Sequence, residues 1–180
     1  MMTHSVLGFV ATRILTGEKV SLRFVLLSVI CPAIPDIDVL AFHFGIPYEH
    51  FFGHRGFFHS PFFALVVSLL VVALFFRGGR RWSGRRLFLL AWFFVLTASN
   101  GFLDAFTHGG LGVAFLSPLS NHRYLFSWTP IQAAPFGFAE QKIQAMADEF
   151  IWILFPTLLV WLVVWVCRNI FVKEGQNKIG

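Results

Sequence analysis

Three long apolar runs determine which class of fold this chain can adopt. They cover residues 57–76, 87–106 and 150–172, and each reaches the roughly 20 mostly apolar residues that a helix needs to cross a bilayer. Two shorter segments, 3–16 and 21–40, precede them and can cross if they tilt. Only 13% of the residues are charged, whereas about 25% is usual for soluble domains. The sequence therefore predicts an all-α, polytopic membrane helical bundle of four to five transmembrane helices.

The chain is predicted to form one integral membrane domain over residues 1–180, with a long outer loop at 107–149. A connection of that length is expected to carry structure of its own. In its last part Ile143, Met146 and Ala147 recur at helical spacing, which predicts an interfacial helix over residues 139–150.

Basic residues predict the orientation of the spans, because loops rich in Lys and Arg stay on the cytoplasmic side. Five arginines fill the connection between the first two long runs: Arg77, Arg80, Arg81, Arg85 and Arg86. A nucleic-acid patch is the weaker interpretation, since the cluster is short and lies between two spans; membrane lipid is the expected partner. With this loop inside, the C-terminus is cytoplasmic and all seven histidines lie on the outer side. Such segregation is expected if several helix ends converge on one polar site.

The first candidate site residues are Asp36 and Asp38, at the outer end of the second segment. A charged group within an apolar span costs about 2.5 kcal/mol or more at mid-depth, so its presence is a functional hypothesis by default. Pro35 is expected to keep the chain out of the helical conformation. In an extended stretch both carboxylates point the same way and can reach one ion. A solvated turn at a helix end is the alternative interpretation.

Two further segments carry histidines and a third aspartate. His54 and His59 flank a glycine junction that can turn both inward, although two interfacial histidines are the alternative. Asn100, Asp104 and His108 are four residues apart, which would place them on one helix face. Asp104 needs a partner in its apolar surroundings, and either a structural arginine or a metal would serve.

His4, at the outer start of the first segment, is the last candidate. His and Asp side chains from four segments favour a nitrogen and oxygen site for a divalent ion such as Zn²⁺, Mn²⁺ or Fe²⁺. The number of carboxylates also fits two ions that act together on a phosphoester or carbonyl. The predicted metal ligands are His4, Asp36, Asp38, His54, His59, Asp104 and His108.

These motifs resemble the bacterial family of membrane-bound, predicted metal-dependent hydrolases. The resemblance covers most of the chain and rests on His4, Pro35-Asp36-Ile37-Asp38, Gly53-His54-Arg55-Gly56-x-x-His59-Ser60, Leu103-Asp104, Gly109-Gly110-x-Gly112 and Asn121-x-Arg123-Tyr124. It implies that the metal residues are His4, Asp36, Asp38, His54, His59 and Asp104. The family usually carries His where this chain has Asn100, and Thr where it has Phe58. We expect His108 to compensate for the missing histidine.

The leading functional hypothesis is a metal-dependent hydrolase of the inner membrane whose site faces the periplasm, acting on a lipid or envelope phosphoester or ester. Asp36 and Asp104 are the predicted catalytic carboxylates, and Arg55 is predicted to hold an anionic group by paired hydrogen bonds. A non-catalytic metal-binding module is the alternative, given Asn100. A small transporter with Asp104 as a relay is a third hypothesis. It is disfavoured because the inner halves of the spans carry no histidine or acid.

Overall fold

The computed structural model describes residues 2–16, 20–77, 83–108, 110–132 and 139–177. Its α-helices are α1 (Met2–Thr16), α2 (Leu22–Ile30), α3 (Pro61–Phe75), α4 (Gly84–Asp104), α5 (Ala139–Glu149) and α6 (Phe155–Asn177). Short 3-10 helical segments at Cys31–Ala33, Pro35–Phe44 and Phe57–His59 lie between α2 and α3, and a π-helical segment, Phe150–Leu154, joins α5 to α6. Arg80, Arg81 and Gly109, which belong to predicted motifs, lie outside the described residues.

The helical architecture agrees with the predicted fold class. Among the described residues, Gly84–Asp104 and the continuous stretch Ile143–Arg168 are long and apolar enough to cross a bilayer. Leu22–Ala33 and Pro35–Phe44, which meet at a 46° bend, add a third if they count as one span. The described helices therefore provide two or three candidate spans, fewer than the four to five predicted.

α3 is shorter than the predicted run at residues 57–76. It has 15 residues, which at 1.5 Å per residue gives a length of about 22 Å. The helix begins only at Pro61, where Ser60 caps it by accepting a hydrogen bond from the Phe63 N–H at 3.1 Å. The residues just before it form the 3-10 turn that carries His59, so this part of the apolar run builds the polar site.

The apolar core lies between α2, α3 and α4, with Phe93 fully buried at its centre. Small polar side chains inside this core bond within the bundle: Thr97 donates to the Phe93 carbonyl at 2.8 Å, and the Trp92 indole donates to Ser28 at 2.9 Å. Large apolar side chains on the outward faces of α3, α4 and α6 are exposed. This distribution is typical of helices that face lipid. A helix suits that environment because it pairs its own backbone polar groups.

α1 and α6 lie side by side and run in the same direction. At one end the Thr3 hydroxyl bonds to the Glu149 carboxylate, and at the other Arg168 donates to the Ile14 carbonyl at 2.6 Å. The guanidinium thus satisfies a carbonyl that the end of α1 leaves without a helical partner. This packing holds the start of α1, with His4, at the end of the bundle where α4 finishes.

Candidate metal centre

Six of the seven predicted ligands converge at one end of the bundle. They come from the start of α1, the bend after α2, the loop before α3 and the last residue of α4: His4, Asp36, Asp38, His54, His59 and Asp104. All are buried except His54, which is half-buried. The convergence of separate segments agrees with the sequence-based expectation of one polar site.

The expected extended conformation at Asp36 and Asp38 is wrong, because Pro35–Phe44 is 3-10 helical. Pro35 occupies the first position of this segment, where its fixed φ and missing N–H are compatible with a helical turn. Ile34 before it is also helical, with φ −57° and ψ −42°. At three residues per turn, side chains two apart point to different sides. Asp36 and Asp38 therefore approach the same imidazole, that of His59, from opposite sides.

His59 is the centre of the cluster and is 2% exposed. Its Nδ1 lies 2.9 Å from Asp38 Oδ2, and its Nε2 lies 3.4 Å from Asp104 Oδ2 and 3.6 Å from Asp36 Oδ1. Neither ring nitrogen is aligned for a hydrogen bond. A buried polar group without such a bond is costly, so the arrangement is typical of a site that holds a cation.

A glycine in α4 allows this close approach. A Cβ added to Gly101 would lie only 2.3 Å from the His59 carbonyl oxygen, a separation that no real side chain tolerates. The absence of a side chain at this position lets α4 pass directly against the His59 backbone.

Asp38 binds the loop that carries the two histidines. Its Oδ1 is hydrogen-bonded to His54 Nδ1 at 2.7 Å, and its Oδ2 accepts from the Arg55 backbone N–H at 3.0 Å. The rings of His54 and His59 lie 5.4 Å apart and perpendicular to each other. Both histidines therefore turn inward, as the glycine junction predicts.

Asp104 contacts both an arginine and a histidine. Its Oδ2 lies 3.0 Å from Arg55 Nε, and its Oδ1 lies 3.8 Å from His4 Nε2. The structural arginine considered for Asp104 is therefore present, but it does not exclude a metal, because Asp104 also faces His59. Among the described residues, Arg55 is the one arginine within ion-pair distance of any of the three carboxylates.

Asn100 has a role that the sequence did not indicate. It is fully buried, and its Nδ2 donates to Asp36 Oδ1 at 3.1 Å and to the Pro32 carbonyl at 3.0 Å. The side chain thus positions Asp36 and joins α4 to the bend after α2. Its Oδ1 is buried without a hydrogen-bond partner and lies at the same site.

The prediction that His108 shares a helix face with Asp104 is wrong. α4 ends at Asp104, where the Thr107 hydroxyl donates to the Asp104 carbonyl at 2.8 Å. Thr107 and His108 then form a short strand, β1, which pairs in parallel with β2 (Ile131–Gln132). His108 is exposed and its Nδ1 lies 3.1 Å from the Thr129 carbonyl. It belongs to neither ligand group, so it is not placed to compensate for Asn100.

Arg123 links the outer loop to the loop that carries His54. It donates to the carbonyls of His54 at 2.8 Å and Tyr48 at 2.6 Å, and its guanidinium lies 5.0 Å from the centre of the Tyr48 ring. Desolvation by burial lowers the pKa of Arg123 from its ordinary value, and burial likewise raises the pKa of the Tyr48 phenol. The phenol therefore keeps its proton at neutral pH and can act as a donor.

The geometry gives two overlapping groups of candidate ligands. In each, three side chains place one ligand atom apiece within 4.8 Å of one another: Asp36, His59 and Asp104 in one group, and Asp38, His54 and His59 in the other. Imidazole nitrogen combined with carboxylate oxygen suits Zn²⁺, Mn²⁺ or Fe²⁺. The described residues thus contain a His/Asp cluster with the composition of a metal site.

Comparison with known proteins places this cluster in a membrane protein family. Residues 1–172 match the family described as YdjM inner membrane protein. A relative from Escherichia coli strain K12, the inner membrane protein YbcI, is 34% identical over 175 residues, which cover 94% of this chain and 98% of the relative. No solved structure matches the chain. Neither name specifies a reaction, but the match runs through every segment of the cluster. The chain belongs to the YdjM family of inner membrane proteins.

Proposed function

We propose that this inner membrane protein is a metal-dependent hydrolase whose His/Asp cluster binds a divalent ion at the periplasmic face. The observation that carries the proposal is the buried His59 imidazole, which faces three carboxylates without an aligned hydrogen bond at either nitrogen. A buried network of this kind is stable only when its charges are balanced and its polar atoms are satisfied.

The charge balance of the cluster supports a divalent cation. Asp36, Asp38 and Asp104 contribute three negative charges, and Arg55 contributes one positive charge. With neutral histidines these three carboxylates and Arg55 sum to a net charge of −2, which is costly in an apolar surrounding. One divalent ion would balance it. Protonation of two histidines would also balance it, and metal analysis of the purified protein distinguishes the two states.

The two ligand groups are not equivalent. Both oxygens of Asp38 already accept hydrogen bonds, from His54 and from the Arg55 backbone, so Asp38 is placed to orient the histidines. Asp36, His59 and Asp104 would hold the ion, with His4 beside Asp104. A carboxylate behind a ligating histidine fixes its ring orientation and is typical of metal sites. When bound, the ion would supply Lewis acidity that polarises an ester or phosphoester and makes water more acidic.

Two buried donors next to the cluster favour an anionic substrate. Arg55 Nη1 and the Tyr48 hydroxyl are buried without well-aligned hydrogen-bond partners. Each lies 2.9 Å from the point where a side chain on Gly110 would place its Cβ. The absence of a side chain at Gly110 therefore lets both donors lie close to this backbone, and a phosphate or carboxylate oxygen within reach of both would satisfy them. A phosphoester or ester of a lipid or another envelope component is the substrate class we propose.

The topology we propose has four to five crossings, with α1 and α3 completing the bundle as short or tilted spans. Its arginine-rich connection and its C-terminus would lie in the cytoplasm. The His/Asp cluster would then open to the periplasm.

Hydrolysis by the purified full-length protein tests this function. We expect turnover of bis(p-nitrophenyl) phosphate or p-nitrophenyl acetate that a chelator abolishes and Zn²⁺ or Mn²⁺ restores. Asp104→Ala should remove it, and Arg55→Lys should weaken the reaction of the charged substrate more than that of the neutral one. His108→Ala, outside the cluster, is the matched control. Turnover that survives both full metal removal and Asp104→Ala would refute the proposal.

A metal-binding module without catalysis is the second candidate, and Asn100 favours it. The family resemblance implies a histidine at this position, and the amide nitrogen of Asn100 donates to Asp36 and to the Pro32 carbonyl. Stoichiometric metal with no turnover on either probe would support the module. If Asn100→His then gained activity, the asparagine at this position would be the reason that the unaltered protein lacks catalysis.

A further inference from the structure

A second polar feature lies at the opposite end of α4 from the His/Asp cluster. A cavity of about 240 Å³ opens there between the starts of α2 and α4 and the end of α3. Four arginines line it: Arg23, Arg77, Arg85 and Arg86. Since α4 rises 1.5 Å per residue, this cavity lies about 30 Å from Asp104. It is therefore separate from the candidate metal centre, and because α4 is long and apolar enough to cross a bilayer, the cavity would lie at the other membrane face.

The described part of the chain places no acid against these four guanidinium groups. Among the described residues, no carboxylate forms an ion pair with any of them. Arg77 Nε donates a hydrogen bond to the Ala73 carbonyl at 3.4 Å. The Arg23 guanidinium lies 5.1 Å from the centre of the Phe76 ring. Four like charges around one cavity repel each other unless an anion lies among them.

The positions of these arginines add a second argument. Arg23 lies in the first turn of α2, and Arg85 and Arg86 lie in the first turn of α4, where neither helix carries an acid. The positive end of a helix dipole favours negative groups and disfavours cations at these positions. A bound anion would be stabilised by the arginines and by the start of α4, which Ser83 caps.

We propose that this cavity binds the phosphate group of an anionic phospholipid at the membrane face opposite the His/Asp cluster. The cavity walls include Phe76 and Leu89, so apolar surface suited to the lipid's acyl chains adjoins the arginines. Basic pockets between transmembrane helices are suited to such headgroups. The proposal does not depend on the metal or on hydrolysis.

Lipid titration of the detergent-purified full-length protein, followed by native mass spectrometry, tests the proposal. Phosphatidylglycerol should bind as a discrete adduct, and phosphatidylcholine should bind more weakly. Arg23→Gln combined with Arg86→Gln should reduce phosphatidylglycerol affinity by about thirtyfold, since each arginine is worth about 1 kcal/mol toward an anionic headgroup. Arg13→Gln combined with Arg168→Gln removes the same charge from residues that do not line the cavity and should leave the affinity nearly unchanged.

Three outcomes would overturn the proposal. Equal weakening in both double variants would mean that only net charge matters. Equal binding of phosphatidylcholine and phosphatidylglycerol would mean that the cavity does not select a lipid of net negative charge. Binding of inorganic phosphate alone, without phosphatidylglycerol adducts, would identify a soluble phosphate as the ligand. Circular dichroism checks folding, and if the cavity variant does not fold, the exposed Arg85→Gln should still lower the affinity about fivefold.

Discussion

Arg55 shows how strongly the site constrains a single residue. Its φ of 60° lies in the left-handed region, which costs a non-glycine residue roughly 1 kcal/mol or more. Its N–H donates to Asp38, its carbonyl accepts from the Ala114 N–H at 3.0 Å, and its side chain lies beside Asp104. These contacts hold the strained backbone and aim the guanidinium into the cluster.

Replacing Asn100 tests the role of the amide in positioning Asp36. Asn100→Ala leaves the Pro32 carbonyl without its buried donor and takes one donor from Asp36. We expect the free energy of unfolding to fall by about 1–3 kcal/mol, and metal affinity to fall by about 10–100-fold, as for other outer-shell partners. Thermal unfolding and metal titration measure the two effects.

Ser99→Ala is the control for this substitution. Ser99 is the neighbour of Asn100 on α4, and its hydroxyl donates within the same helix, to the Leu96 carbonyl at 2.7 Å. It should change neither quantity appreciably. If Asn100→Ala behaved like Ser99→Ala, Asn100 would not position the site.

Residue chemistry could be predicted from the sequence more reliably than residue geometry. Six of the seven predicted ligands meet at one site. They are recognisable in the sequence because charged groups beside apolar spans must find partners. The relative orientation of the Asp36 and Asp38 side chains was predicted wrongly, because it depends on whether Pro35 breaks or begins a helical turn. The functions of Tyr48 and Arg123 depend on contacts between distant loops, which no local pattern encodes.

α4 connects the apolar core to the site, and Gly101 is its closest point of approach. A Cβ at this position would lie 2.3 Å from the His59 carbonyl oxygen. Backbone must therefore move in Gly101→Ala, and we expect it to lower the free energy of unfolding by about 1–3 kcal/mol or more. Metal binding should weaken at the same time because His59 is displaced.

Gly84→Ala is the matched control in the same helix. A Cβ there meets nothing within 4 Å, so it should be neutral or slightly stabilising. Thermal unfolding of both variants in detergent makes the comparison. Equal midpoints for Gly101→Ala and the unaltered protein would contradict the close packing of α4 on His59.

The ends of the elements were harder to predict than their existence. A helix occupies Ala139–Glu149, where apolar spacing predicted one. α4 instead ends at Asp104, and this places His108 on a strand rather than on the helix face. Thr107 causes the difference, since its hydroxyl bonds to the Asp104 carbonyl while its backbone pairs with Ile131. This pairing joins residues far apart in the sequence and leaves no periodic signal.

At the scale of the whole molecule, α4 separates two polar regions of different chemistry. One end carries the His/Asp cluster and the other carries the arginine-lined cavity. This separation fits a protein that exposes a site at each membrane face. The proposed orientation puts the cluster in the periplasm and the arginines in the cytoplasm.

Thiol labelling tests this orientation in cells. The native Cys31 and Cys167 are first replaced by Ala, and a single cysteine is introduced at exposed His122 or at exposed Gly84. A membrane-impermeant maleimide should label His122→Cys while the inner membrane is intact. It should label Gly84→Cys only after permeabilisation, and the opposite pattern would reverse the proposed topology.

The proposed function depends most directly on whether the cluster holds a metal. Elemental analysis of the purified full-length protein should find about one divalent ion per chain in the unaltered protein and in His108→Ala. Asp104→Asn and His59→Gln, which keep similar side-chain shapes, should lose that ion. A metal-free unaltered protein after exposure to Zn²⁺, Mn²⁺ and Fe²⁺, or an unchanged metal content in Asp104→Asn and His59→Gln, would contradict the account.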